Sequence, residues 1–264
     1  MNRFQEVGVY KQAGRQRDNQ QQRGRYLHSR QHVDLPHRKP LLEQTIVSAR
    51  ERSVRVDVDY FAAKSTGGSG VIVQTGLVIS NWHLVGDRGF TQVKINDHPA
   101  EVIHFDIIHD LVLLAGPTRR LRPLKFRLKS LPNQGHRLNC IPTDHVFYVG
   151  NPLFRNKTIA EGKITKIDHK ERVIIADTTP AEGYSGSGLY HQETGELVGI
   201  IDALEGTNYN SLIWTIAIPA DVVLEFWKFG LAKYQMQTGT KPPAAKSKEE
   251  PPPIDDLYVK RIYE

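Results

Sequence analysis

From Ser53 to Ile218 the sequence is a succession of short apolar runs punctuated by Gly, Pro, Asn and Asp, and nothing constrains its fold more. The first run, SVRVDVDYF, sets Val54, Val56, Val58 and Tyr60 against Arg55, Asp57 and Asp59, the two-residue period of a strand with one buried face. After the turn-forming STGGSG come VIVQ and, past Gly76, LVIS. TQVKIN, AEVIHF, DLVLLAG, HVFYVG, KTIAEGKITKI, ERVIIAD, ELVGIID and SLIWTIAI follow. Runs this short, with no crossover helix between them, predict an all-β fold, an antiparallel sandwich or barrel, and exclude a parallel α/β sheet. Convincing helix is expected only near the end. In DVVLEFWKFGLAKY, Val223, Phe226, Trp227, Leu231 and Tyr234 recur at three- and four-residue steps.

The flanks have a different texture. Residues 1–44 are rich in Gln, Arg and His and cannot bury enough surface to offset their ordering entropy, so a disordered arm is expected there. The arm holds the basicity of the chain: residues 1–50 carry ten Lys+Arg against four Asp+Glu, and the other 214 residues carry 25 of each. It suits either a solvated leader or a weak electrostatic contact with a polyanion or nucleic acid. Residues 235–264 form a Pro/Lys/Glu-rich tail, expected to stay extended, that ends on IDDLYVKRIYE. One folded domain, 45–234, is left between them.

Composition removes several function classes. No run approaches the ~20 apolar residues of a membrane span. The N-terminus shows no apolar core for a secretory signal, so a cytoplasmic location is expected, in the host cell if the origin is viral. The single cysteine, Cys140, cannot form an intramolecular disulfide, which fits a reducing compartment or a family that never used such bridges. Within LNCIP it reads as a buried structural thiol and not as a nucleophile. No cofactor or metal is expected, and the folded part lacks the aromatic-basic motifs of an RNA binder.

Hydrolysis by a serine needs a hydroxyl on a tight turn, a histidine as its base and a carboxylate to orient that histidine. GYSGSGL, residues 183–189, supplies the turn: Gly183 and Gly186 flank Ser185, and the amides of Gly183 and Ser185 can both face a developing oxyanion. In SGVIVQTGLVISNWHLV a hairpin delivers His83 just beyond a strand end. In HDLVLLAG, Asp110 leads directly into an apolar run, where a carboxylate is costly unless it has a partner. Asp106 is the rival carboxylate, but no strand-like run follows it.

Together these segments resemble the trypsin-like serine peptidases, specifically the cysteine-free HtrA-type branch, over residues 50–230. SGVIVQTGLVISNWHLV is similar to the family's histidine block, DIIHDLVLLAG to its aspartate segment, and VFYVGNPLF and KTIAEGKITKI to the elements that follow. TTPAEGYSGSGLYHQETGELVGI resembles its nucleophile turn and return strand, and IWTIAIPADVV its closing strand and helix start. The resemblance implies two six-stranded antiparallel barrels with a C-terminal helix, and a His83, Asp110, Ser185 triad. The activity implied is that of a serine endopeptidase acting on polypeptides through an acyl-enzyme. The chain departs from the pattern at Tyr184, where the family has Asn or Asp, and at Ser187, in place of a second Gly; no PDZ-like domain is expected after Tyr234.

By the same resemblance, the primary substrate pocket involves Thr179, the stretch Asp202-Ala203-Leu204, and the stretch Thr215-Ile216-Ala217. Thr179, Ala203, Leu204 and Ile216 imply small or aliphatic residues on the acyl side of the scissile bond. Asp202, the one acidic candidate, is expected at a strand edge instead of the pocket base. Two alternatives stand beside this reading: a catalytically silent scaffold with the same fold, and a viral or phage polyprotein-processing protease.

Overall fold

The computed structural model describes residues 40–60, 66–86, 90–132, 135–151, 157–178, 183–206 and 213–239. The part of the expected basic arm before Pro40 and the tail beyond Gly239 lie outside the described residues.

Twelve strands close into two six-stranded antiparallel barrels. The first holds β1 (Ser53–Tyr60), β2 (Thr66–Gln74), β3 (Leu77–Asn81), β4 (Phe90–Ile95), β5 (His98–Asp106) and β6 (Leu111–Ala115) in the order β1-β2-β3-β6-β5-β4. A hairpin of β7 (Leu128–Leu131) and β8 (Gly135–Leu138) follows in the chain. The second barrel holds β9 (His145–Gly150), β10 (Thr158–Asp168), β11 (Val173–Ala176), β12 (Gly188–His191), β13 (Leu197–Gly206) and β14 (Ile213–Pro219) in the order β10-β11-β14-β13-β12-β9. The short hairpin and β12 have no counterpart among the strand-like runs of the sequence.

The sequence patterns translate directly into three apolar layers. In β1 the alternating Val54, Val56 and Val58 fill the first barrel with Val78, Val112 and Leu114. Tyr148, Ile164, Ile174, Leu189 and Val198 fill the second. β3 and β6 read as unbroken apolar runs because both faces are covered: Leu77, Ile79, Leu111 and Leu113 turn toward the second barrel and meet Phe147, Val149, Tyr190 and Ile200. Burying each such side chain stabilises by roughly 1.5–3 kcal/mol. This shared layer joins the barrels.

Two helices cap the shared layer. The C-terminal helix α2 (Ala220–Thr238) lays Val222, Val223 and Phe226 on it and runs four residues past the expected end at Tyr234. Gly230 lets α2 come close, since a Cβ there would stand 3.0 Å from both His104 and Leu113. The helix stops at Gly239, left-handed at φ 62°, whose N–H donates to the Gln235 carbonyl. The N-terminal helix α1 (Pro40–Arg52) is unexpected, and the boundary expected at Thr45 falls inside it. Its Ile46 and Ala49 join the shared layer. Arg52 is buried where α1 meets β1 and donates to the carbonyls of Ile72 and Arg122.

Candidate active site

Ser185 sits on a turn that glycine makes possible. Gly183 and Gly186 have φ of 90° and 84°, a left-handed region costly to any residue with a Cβ. A Cβ at Gly186 would also collide with the Ser69 carbonyl oxygen and the Ser80 hydroxyl. The turn is tied down to β2: the Ser69 N–H donates to the Ser185 carbonyl, and the Ser69 hydroxyl donates to the Gly183 carbonyl, both at 2.8 Å. Ser80 donates to the Ser69 carbonyl at 2.7 Å, and the Asn151 N–H donates to Ser69 Oγ at 2.8 Å. STGGSG, expected as a turn, is strand from Thr66 onward, and its small residues form the floor of the Ser185 turn.

His83 lies in a single 3-10 turn, Trp82–Leu84, directly after β3. Trp82 stacks on Phe105 of β5 with ring centroids 4.2 Å apart, and the Tyr60 hydroxyl donates to the Leu84 carbonyl at 2.6 Å. These contacts hold the turn over the first barrel. Because β3 and β6 are antiparallel neighbours with Asn81 opposite Leu111, the residue after β3 and the residue before β6 meet at one barrel rim.

Asp110 is that second residue. Its φ of 52° turns the carboxylate back on His83, with Asp110 Oδ2 2.6 Å from His83 Nδ1 and Asp110 Oδ1 accepting the His83 N–H at 2.7 Å. The Asp110 carbonyl accepts the Trp82 N–H and the Asn81 amide, each at 3.1 Å. Burial pushes the Asp110 carboxyl upward, but hydrogen bonds from His83 and Asp202 and the His83 charge outweigh it and leave it below the ordinary carboxylate value. Donation from Nδ1 fixes the tautomer in which Nε2 carries the lone pair of a base. Asp106 does a different job. It accepts the N–H groups of Ile108 and His109 and holds His109 Nδ1 at 2.7 Å, capping the β5–β6 turn.

Ser185 reaches this pair through Asp202. Its hydroxyl donates to the Asp202 carbonyl at 3.3 Å, and Asp202 Oδ1 lies 4.0 Å from His83 Nδ1. The expectation for Asp202 at a strand edge is corrected here: β13 is an interior strand, paired with β12 and β14. Its register with β14 shifts between Ile201 and Ala203, so Asp202 is the extra residue of a bulge, which re-aims its side chain at the His–Asp pair. Burial, then the hydrogen bond and charge of Asp110, push the Asp202 carboxyl up to about 7. The sequence named Asp202 only as a pocket-stretch residue and not as a neighbour of His83, and it did not single out Ser69 at all.

The remaining expectations find these places. The Gly186 and Ser187 amides donate to Ile201 and Tyr184, while those of Gly183 and Ser185 have no acceptor among the described residues. Tyr184 is buried and packs edge-on against Tyr148 at 4.6 Å, so it anchors the turn in the second core. Ser187 is buried beneath Gly150, where a Cβ would leave no room for its hydroxyl. Ala203 and Ile216 are register partners on β13 and β14; Thr179 and the Leu204 side chain lie outside the described residues. Cys140 is partly buried, and burial raises its thiol to about 12, which fits an inert structural thiol. A groove of about 510 Å³ opens elsewhere, between the β5–β6 turn and α2.

Two six-stranded antiparallel barrels, a His–Asp pair on the rim of the first and a glycine-flanked serine turn from the second define the class of two-barrel peptidase folds. The family model described as the trypsin-like peptidase domain matches residues 68–200, half of the chain, and the chain belongs to that family. Its fold is similar to that of a serine endoprotease from Yersinia pestis, at 23% identity and a TM-score of 0.59, covering 75% of this chain and 68% of that one. It is also similar to AlgW, an HtrA-type protease solved with a tripeptide, at 20% identity and a TM-score of 0.59, covering 75% of this chain and 64% of that one. No curated protein sequence matches. Among the described residues, no helix is long and apolar enough to cross a membrane.

Proposed function

We propose that this chain is a serine endopeptidase in which Ser185 is the nucleophile, His83 its base and Asp110 the carboxylate that orients the imidazole. The observation that carries the reading is the doubly bonded His83–Asp110 pair, with Nδ1 and the main-chain N–H of one residue on the two oxygens of the other, linked through Asp202 to Ser185 on its glycine turn. With substrate bound, the Ser185 hydroxyl rotates from the Asp202 carbonyl toward His83, a tightening common on forming the reactive complex. Ser185 Oγ adds to the peptide carbonyl as its proton passes to His83 Nε2, and the oxyanion is held by the Gly183 and Ser185 amides. The C–N bond breaks as His83 returns the proton to the departing amine. Water, deprotonated by His83, then hydrolyses the ester and restores Ser185.

For specificity, the family resemblance that assigns Thr179, Ala203, Leu204 and Ile216 to the primary pocket puts no carboxylate at its base, and Asp202 Oδ1 instead lies 4.0 Å from His83 Nδ1. Small or aliphatic acyl-side residues are the substrates of this reading. The test is labelling with a fluorophosphonate probe followed by peptide mapping. A single adduct on Ser185, lost in Ser185→Ala and His83→Ala, is the expected result; a folded protein that takes no label is a scaffold and overturns the proposal.

A further inference from the structure

Resting on that reading, we propose that Asp202 is a positioning residue that works as a neutral acid: its carboxyl O–H donates to Asp110 and holds that carboxylate on His83, so that ionisation of Asp202 switches the site off on the alkaline side.

The geometry is that of two acids sharing one proton. One polar side-chain atom from each of His83, Asp110 and Asp202 lies within 4.8 Å of the other two. Two carboxylates this close repel unless one is protonated, and the protonated one then becomes the donor. Asp110 must be the ionised partner, because it already accepts two N–H groups from His83. Asp202 receives neither of those bonds, so the proton belongs there; exposure does not separate the two side chains, 28% for Asp202 and 23% for Asp110. Its raised carboxyl, near 7, agrees with this assignment.

Among the described residues, Asp110 and His83 are the charged groups that act on Asp202. Across β14 its neighbours are Ile216 and Ala217, and the nucleophile turn meets β13 through Gly186 and Ser187. The bulge is what aims the side chain. In a regular strand Asp202 would alternate with Ile201 and Ala203 and pair squarely with β14.

Losing the Asp202 proton has two consequences, both adverse to catalysis. Asp110 loses its donor and gains a like charge beside it, which loosens its hold on Nδ1. The new carboxylate, 4.0 Å from Nδ1, then competes for the same imidazole N–H and favours the imidazolium over the base. A serine–histidine site usually reaches a plateau once the imidazole is neutral. This one gives a bell.

The experiment follows the rate of fluorophosphonate labelling at Ser185 against pH, which needs no known substrate. Wild type is expected to fall about tenfold from the optimum near pH 7 to about pH 8.5. Asp202→Asn, whose amide donates to Asp110 but cannot ionise, is expected to hold its plateau over that range, and Asp202→Ser to follow it should the Asn variant misfold. A wild-type plateau, or an alkaline fall unchanged in the folded variants, overturns the proposal. Imidazole ¹⁵N shifts of His83 in Ser185→Ala protein are read in parallel: two titration steps are expected, collapsing to one when Asp202→Asn is added, and a single step in both refutes the shared proton. Absence of label at every pH would count against the peptidase reading alone, leaving the NMR arm to decide the role of Asp202.

Discussion

Asp106 and Asp110 lie four residues apart on one turn, yet each has its own histidine, and that separates two kinds of prediction. In the proposed mechanism Asp110 holds the imidazole that accepts the proton, so Asp110→Asn should lower kcat/KM roughly 10⁴-fold by supporting the wrong tautomer. Ser185→Ala and His83→Ala should cost on the order of 10⁴–10⁶-fold in kcat with the fold retained. Asp106 pairs with His109 and caps a turn, so Asp106→Asn should lower stability modestly and leave kcat intact. The reverse pattern, measured on one peptide substrate, would reassign the carboxylate. Asp202 adds a stability signature. A carboxyl raised from 3.8 to about 7 in the folded chain binds more protons folded than unfolded, so it costs stability as pH climbs between those values and no further above the second. Asp202→Asn should therefore gain on wild type from about pH 4 to 7, reaching on the order of 2–4 kcal/mol, and then level off; urea melts at several pH values measure it.

At the scale of elements, the Ser185 turn is held by β2 and not by its own bonds alone. Gly186 needs φ of 84° and abuts the Ser69 carbonyl, so Gly186→Ala should destabilise by roughly 1–3 kcal/mol and cut Ser185 labelling more than stability alone would. A variant that labels at the wild-type rate would show that the turn tolerates another shape. The same contacts explain what the sequence made legible. The elements carrying His83, Asp110 and Ser185 are local signals, two strand termini and a Gly-x-Ser-Gly turn, common one by one and readable through their order along the chain. Ser69 was hidden because Gly-Gly-Ser-Gly in a strand looks like a turn until the partner pressing on it is known. The turn of Asp202 toward His83 was hidden because ELVGIID shows no break in pattern; the bulge exists only in the register with β14. Helix α1 was hidden for a simpler reason. Its inward residues, Leu42, Ile46 and Ala49, are few, and they sit among polar and charged neighbours that continue the texture of the arm.

For the whole molecule, the site is a rim property of two barrels and depends on whatever fixes one against the other. Asn151 spans that joint: its side-chain amide donates to the Val54 carbonyl at 2.9 Å and to Ser53 Oγ at 3.3 Å, while its N–H reaches Ser69 under the nucleophile turn. The shared apolar layer does the rest, and both helices contribute to it, Ile46 and Ala49 from α1 and Val222, Val223 and Phe226 from α2. The working unit is therefore wider at both ends than the strand pattern alone suggests. A 40–239 fragment should fold cooperatively and label at Ser185 as fast as the full chain, because every described residue of the site lies between Thr66 and Ala217. A 53–239 fragment lacks α1, loses the Ile46 and Ala49 burial, and uncovers the Ile72 and Arg122 carbonyls that Arg52 satisfies. At roughly 2–5 kcal/mol for removing one large buried side chain, that loss should consume much of a domain's ordinary stability. Thermal melts and labelling of the two fragments side by side test it. If the shorter fragment matches the longer in both, α1 is an ornament on the barrels; if only the longer folds and labels, α1 belongs to the frame that holds Ser185 within reach of His83.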